Sequence, residues 1–248
     1  MSFDEPVRPG GAFTIGFVAA LAVECTSLRR HMPRGVSWLV VQSGPGSARA
    51  ADGAQGAIDS GAGLLVSWGL AGGLGAAVAP GTVVLPRRVR EQGAEPLRVD
   101  AAWHARLSAL ARELALEQGD LLTAPAALES PAAKRAAAAA THAVAVDMES
   151  AAVAAVAARA RVPFVALRVV VDGLDDALPP GAETWIDAHG NRRMTAALRA
   201  AVDVRQWRSL VTLAKRYRVA SGVLDRLARA LAAPHLLGAD SVALPAGR

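Results

Sequence analysis

Cysteine is almost absent from this 248-residue chain, in which Cys25 stands alone. An internal disulfide and a multi-cysteine metal site are therefore excluded. No histidine lies near Cys25 in sequence to act as the base a nucleophilic thiol needs, so it reads as a small apolar packing residue. The histidines (His31, His104, His142, His189 and His235) are scattered without HxxxH or HxH spacing, and no metal site is expected. The opening MSFDEPVRPGGAFT is polar and acidic early, without the basic start and apolar core of a signal peptide. A cytoplasmic protein is the expectation. An unbroken apolar span is also lacking. The charge-free run from Ser60 to Pro86 is long enough to cross a bilayer, but Gly61, Gly63, Gly69, Gly72, Gly73, Gly75, Pro80 and Gly81 interrupt it. Strands joined by a Gly-rich loop fit it better.

The hydrophobic share is 52%, much of it alanine, which signals close helix packing more than membrane insertion. The length suits one domain with a substantial core. Residues 1–231 read as that domain, and 232–248 as a loose tail. The net charge of +5 invites a nucleic-acid reading, yet the basic residues concentrate in 192–231. That segment reads as two helices in which Arg199, Arg205, Lys215, Arg218 and Arg226 alternate with Trp207, Leu210, Leu213, Tyr217 and Leu224. Such helices either lie on an anionic membrane surface or cover the protein's own core.

The chain is organised around Ala143 to Asp172. A short apolar strand gives way to Asp147-Met148-Glu149-Ser150, then to an Ala/Val-rich helix reaching Arg159. After Val162-Pro163 a second buried strand ends at Arg168 and Asp172. Glu149 and Asp172 thus sit at strand ends, where an open α/β sheet binds ligands. The plainer alternatives are a helix cap at Asp147 or Ser150 and a turn at Asp172-Gly173.

Upstream, Phe13 to Leu21 reads as the first strand, with Glu24 just beyond it. Glu24 is either a ligand-facing acid or a first-turn carboxylate favoured by the helix dipole. Trp38 to Gln42 is the second strand, and Gly44-Pro45-Gly46 turns into a helix whose start can receive an anion or a hydroxyl. Leu64 to Trp68 leads into Gly69-Leu70-Ala71-Gly72-Gly73-Leu74-Gly75, where glycines allow close approach of a ligand. Val99 to Glu117 reads as an exposed amphipathic helix, and Leu121 to Leu128 as a return to the sheet. Lys134-Arg135 and the alanines behind them read as a surface helix without functional content. Beyond Asp172 come a Pro-rich break at 178–181 and a short strand with a turn over Trp185 to Asn191.

Val146-Asp147-Met148-Glu149-Ser150-Ala151-Ala152, with Pro163-Phe164-Val165 and Arg168 to Asp172, resembles the C-terminal signature of the purine nucleoside phosphorylase and methylthioadenosine/adenosylhomocysteine nucleosidase superfamily. Phe17 to Glu24 is similar to the nucleosidase opening, and Gly69 to Leu74 resembles the superfamily's glycine loop. The resemblance implies an α/β, three-layer fold with a central mixed sheet flanked by helices, here with a basic helical C-terminal extension. It also implies cleavage of an N-glycosidic bond in a purine nucleoside. Asp172 would protonate the purine, Glu149 would hold the ribose beside Met148, and Glu24 would deprotonate water. Gly44, Gly46, Leu70, Ala71, Gly72 and Gly73 would line the nucleoside, and Ala127-Leu128 take the place of a stacking aromatic.

Arg49 is the nearest motif-borne contact for an anion. The Gly- and Arg-containing phosphate loop of hexameric phosphorylases is absent, and inorganic phosphate is the one co-substrate the resemblance allows. No organic cofactor is implied. The ending, with Ala177-Leu178-Pro179-Pro180 followed by a basic tail, resembles the hopanoid-associated phosphorylase branch, whose substrate is adenosylhopane. A lipid-linked nucleoside, an anionic membrane surface reached through 192–231 and a homodimer are the partners implied. No nucleic acid is expected. Two alternatives stand beside this reading: a methylthioadenosine/adenosylhomocysteine nucleosidase, and a noncatalytic nucleic-acid-binding module.

Overall fold

The computed structural model describes residues 13–32, 37–179, 185–191 and 207–232, with side chains of the last segment from 210 onward. The first of the two helices expected in 192–231, and the tail from 233, lie outside the described residues.

Long apolar runs build the centre. β1 (Thr14–Ala19), β3 (Ala62–Gly73) and β10 (Phe164–Asp172) are nearly continuous stretches of buried residues. Strands covered on both faces read this way. β3 is the spine, parallel to β1 on one side and to β10 on the other. β2 (Ser37–Gln42) extends the sheet beyond β1. The end of β3 turns to pair antiparallel with β9 (Ala145–Asp147), through Gly72 with Val146 and Gly73 with Ala145. β8 (Leu121–Thr123) lies parallel to β9. Short strands complete the sheet: β4 (Val83–Val84) and β7 (Leu116–Glu117) beyond β10, and β5 (Arg88–Arg90) and β6 (Leu97–Arg98) beyond β8. The glycine stretch expected as a loop therefore continues β3 as far as Gly73, because its backbone finds partners on both β10 and β9.

Helices cover both faces of the sheet. α2 (Ser47–Asp59) and α5 (Ser150–Ala160) join through buried small residues, among them Ala50, Ala54 and Ala57 with Ala154 and Ala157. Alanine makes that close approach possible. On the opposite face α1 (Ala22–Arg29) and the C-terminal half of α6 (Trp207–Leu231) cover Phe17, Trp38 and Trp68. From α6, Val223, Leu224, Leu227 and Leu231 are buried at i, i+1, i+4 and i+8, the apolar stripe of a core-facing helix. Removing one such leucine by Leu224→Ala should cost about 2–5 kcal/mol in a denaturant titration.

Three local expectations are corrected. α3 (Ala101–Ala111) is shorter than expected and less exposed, since Trp103, His104 and Leu107 are buried. Phe13 stacks on Trp103, and the His104 ring nitrogen meets the Leu85 carbonyl. The return expected over Leu121 to Leu128 pairs only as far as Thr123. α4 (Pro131–Thr141), expected as a surface helix, buries Lys134. That lysine lies one and two turns before Ala138 and Thr141, on the helix's inward face, and Ala138 packs against Leu74, Leu122 and Val146.

Candidate active site

Glu24 lies in the first turn of α1 and is buried. Its Oε2 accepts the Leu21 N–H at 2.9 Å, and its Oε1 accepts the Leu70 N–H from β3 at 2.8 Å. The carboxylate is therefore both a helix-start acceptor and a bridge to the glycine segment. Burial pushes its pKa up to about 7, against the opposing pull of the Arg168 charge and the two backbone N–H groups. A methyl group on Gly69 would overlap Glu24 Oε1 and lie 2.7 Å from Arg168 Nη1, so glycine is required there for space. Gly69→Ala should displace the Glu24 carboxylate. A displacement of about 1 Å costs on the order of 10²-fold in rate, and kcat measured on a variant with unchanged circular dichroism checks it.

Glu149 sits between β9 and α5. Its Oε1 accepts the Gly46 N–H at 3.0 Å from the turn before α2, where Gly46 has φ 101°. That left-handed geometry is open to glycine at little cost, so the turn is used through its amide. Burial raises the Glu149 pKa, opposed by Arg168.

Arg168 lies in the middle of β10 and is 1% exposed. Its Nη2 reaches Asp147 Oδ2 at 2.7 Å, Ser67 Oγ at 2.7 Å and Glu149 Oε2 at 3.6 Å. Buried charge survives only when paired and hydrogen-bonded, and this guanidinium provides the pairing for the acids around it. Asp147 serves α5 as well, because the Ser150 N–H donates to its Oδ2 at 3.2 Å. Asp147 thus serves the helix start, while the Glu149 carboxylate faces Gly46 and Arg168.

Asp172 ends β10 and is buried beside Gly72. A Cβ on Gly72 would lie 3.6 Å from Asp172 Oδ2, so the glycine brings backbone close to the acid. Lys134 of α4 pairs directly with Asp172 Oδ2. Burial raises the Asp172 pKa, and the Lys134 ammonium opposes that rise.

Glu24, Glu149 and Asp172 line one cavity of about 1010 Å³, at the upper end of the range for small-molecule pockets. Leu70, Ala71, Gly72, Ala127, Leu128 and Met148 line it too, whereas Gly44, Gly46 and Gly73 do not. Gly44 packs under the Ala188 carbonyl, and Gly73 lies beside the Val78 carbonyl. Arg49 is exposed, with Nη1 donating to the Pro45 carbonyl at 3.0 Å, and stands outside the cavity. Much of the remaining lining is apolar and comes from the C-terminal region, with Trp185, Ile186, Leu210, Leu213 and Tyr217.

The fold and the matched region now assign the chain. The phosphorylase superfamily model matches residues 24–203, most of the chain, from the first of the three acids onward. The chain belongs to the phosphorylase superfamily. By that match it is an enzyme of the nucleoside phosphorylase kind. No curated protein matches it in sequence.

Among solved structures it is similar to the 5′-methylthioadenosine/S-adenosylhomocysteine nucleosidase of Neisseria meningitidis in complex with methylthio-immucillin-A. The identity is 19%, the TM-score 0.69, and 88% of this chain and 98% of that one are covered. It is also similar to the S-adenosylhomocysteine nucleosidase of Streptococcus pyogenes, with 16% identity, TM-score 0.67 and coverage of 90% and 98%. The futalosine hydrolase of Helicobacter pylori shares 17% identity at TM-score 0.65, over 87% and 97%. At such identities the likeness is one of fold.

Two residues of this superfamily member escaped sequence reasoning about the site. Arg168 carried a signal, since a charge inside an otherwise apolar strand must find buried partners. Lys134 carried a weaker one, its spacing to Ala138 and Thr141 on the inward face of α4. Among the described residues no cluster of three or more His, Cys, Asp or Glu side chains is arranged to hold a metal ion.

Proposed function

We propose that the enzyme is a nucleosidase that releases adenine from an adenosine bearing a large apolar group on its 5′ carbon, and that adenosylhopane is its substrate. One observation carries this reading: three buried acids line the same cavity as a largely apolar group of side chains from α6 and the 185–191 segment. A small 5′ substituent would leave those side chains uncovered. Asp172 acts as general acid to the leaving purine, Glu149 holds the ribose hydroxyls beside Met148, and Glu24 removes a proton from the attacking water. Trp185 and Tyr217 supply the aromatic surface that Ala127-Leu128 lack.

Water is favoured over phosphate as the nucleophile. A base with a pKa of about 7 suits water activation at neutral pH. Arg168, the buried cation nearest Glu24 and Glu149, is already committed to Asp147, Ser67 and Glu149. Product analysis should give free sugar with phosphate present, and a sugar phosphate would reverse this choice.

The exposed side of α6 supports access from a bilayer. Val211 and Val219 are 51% and 52% exposed, and Lys215 and Arg218 share their face at i+4 and i+7 from Val211. Arg218 also stands at the cavity wall. Among the described residues no helix is long and apolar enough to cross a membrane, so contact is peripheral. Anionic headgroups attract each such cation by about 1 kcal/mol. The protein should float with anionic vesicles at low salt and release at high salt; no flotation counts against the membrane part.

A methylthioadenosine/adenosylhomocysteine nucleosidase is the second reading, favoured by the fold of the neighbouring structures. The two separate on kcat/KM: a lipid-linked adenosine should exceed methylthioadenosine by at least about tenfold, and the reverse order supports the second reading. The homodimer implied by resemblance is checked by light scattering.

A further inference from the structure

We infer that Lys134 is a positioning residue for the general acid: its ammonium, fixed beside Asp172, stabilises the carboxylate that forms when the proton leaves for the purine. This inference rests on the proposed glycosidic cleavage and extends it to a residue on another element. Lys134 is 1% exposed, although lysine is seldom buried. Besides pairing with Asp172 Oδ2, its Nζ donates to the Gly173 carbonyl at 2.8 Å and to the Asp176 carbonyl at 2.8 Å. An ammonium has three N–H donors, and all are placed. The group is therefore held in one orientation against the acid.

The other charged groups around Asp172 come from two further elements. Asp176, in the loop after β10, accepts the Gly173 N–H at 2.8 Å and pairs with Arg216 of α6 at 2.5 Å. These charges oppose one another at Asp172, Asp176 raising its pKa and Arg216 lowering it. Glu24 and Glu149 stand elsewhere on the cavity wall, joined through Arg168. Lys134 is thus the one cation in direct contact with Asp172 among the described residues.

The chemistry requires such a group. As the bond between the sugar's anomeric carbon and the purine nitrogen breaks, its electron pair moves into the base, and Asp172 passes its proton to a ring nitrogen. Adenine leaves neutral. Water oxygen bonds to the anomeric carbon while Glu24 takes its proton, and that proton returns to Asp172 through solvent. A carboxylate left alone in a buried site would be costly, and Lys134 removes that cost at the moment of transfer.

The test compares Lys134→Met, Lys134→Arg, Asp172→Asn and the double variant Lys134→Met/Asp172→Asn, using adenine release from lipid-linked adenosine. In Lys134→Met the high-pH limb of kcat/KM should move up by about 1–3 units, as expected when an opposite charge leaves a carboxyl group. Its plateau kcat should fall by about tenfold or more, because the acid is weaker, and Lys134→Arg should restore both in part. In the Asp172→Asn background, the methionine should add less than about threefold.

A limb that stays in place, or an equal loss in both backgrounds, overturns the inference while wild-type turnover leaves the proposed function standing. Absent wild-type adenine release removes that reading itself. If Lys134→Met does not fold, Lys134→Gln, which removes the charge and keeps hydrogen-bonding capacity, reports the pH limb, and the double variant, which buries no unpaired charge, reports the background effect.

Discussion

Replacing Asp172 with Asn is expected to lower kcat by about 10²–10⁴-fold and to leave KM within a few-fold of wild type. Asparagine keeps the shape and the buried place at the end of β10 but has no proton to give. Adenine is a poor leaving group while its ring carries the departing electron pair, so the loss falls on the bond-breaking step. On the proposed reading binding draws on Glu149, Met148 and the apolar side chains of the cavity, which the substitution does not touch. Asp172 fits the assignment because burial raises its pKa, which keeps a fraction protonated where an exposed aspartate would be ionised. Near-normal kcat would reassign the acid.

The second large effect belongs to Glu24. Glu24→Gln should cost about 10²–10⁴-fold in turnover and abolish the low-pH limb of kcat/KM. Its carboxylate is the active form, so activity should rise as pH increases through about 7. The same group leaves a mark on stability. Its folded-state pKa of about 7 lies above the ordinary value of 4.5. Its contribution is therefore fully present below about 4.5 and is lost as pH rises through about 7. Glutamine never ionises, so the variant should lack that decline. Urea midpoints at pH 5 and pH 8, at unchanged slope, measure the difference. A wild-type midpoint that does not fall across this interval would mean that Glu24 is not held in the buried environment described.

The strands that position the acids were legible because they are long and apolar. β1, β3 and β10 announce themselves as runs of Val, Leu, Ile, Ala and Phe, and strand ends are where ligand groups collect. Glu24, Glu149 and Asp172 were found by that rule, and they line one cavity.

What local sequence did not carry was pairing across distance. Nothing near Lys134 in sequence points to Asp172, 38 residues later, and an Ala-rich helix looks the same whether it faces water or an acid. Arg168 was visible as an interruption in a strand, but its partners come from two other segments, Ser67 from β3 and Asp147 and Ser150 from the junction of β9 and α5. Ala127-Leu128 stand where the resemblance implies a stacking aromatic, and no aromatic is found there. Trp185 and Tyr217 line the same cavity from beyond Asp172. Tyr217 reaches the cavity from α6, whose lower half packs on Phe17, Trp38 and Trp68.

The most direct measurement is single-turnover release of adenine from lipid-linked adenosine, with enzyme in excess and phosphate first absent and then present. Stoichiometric adenine in both conditions, lost in Asp172→Asn and in Glu24→Gln, is the expected result. Intact nucleoside under both conditions would contradict glycosidic cleavage of this substrate by the buried acids.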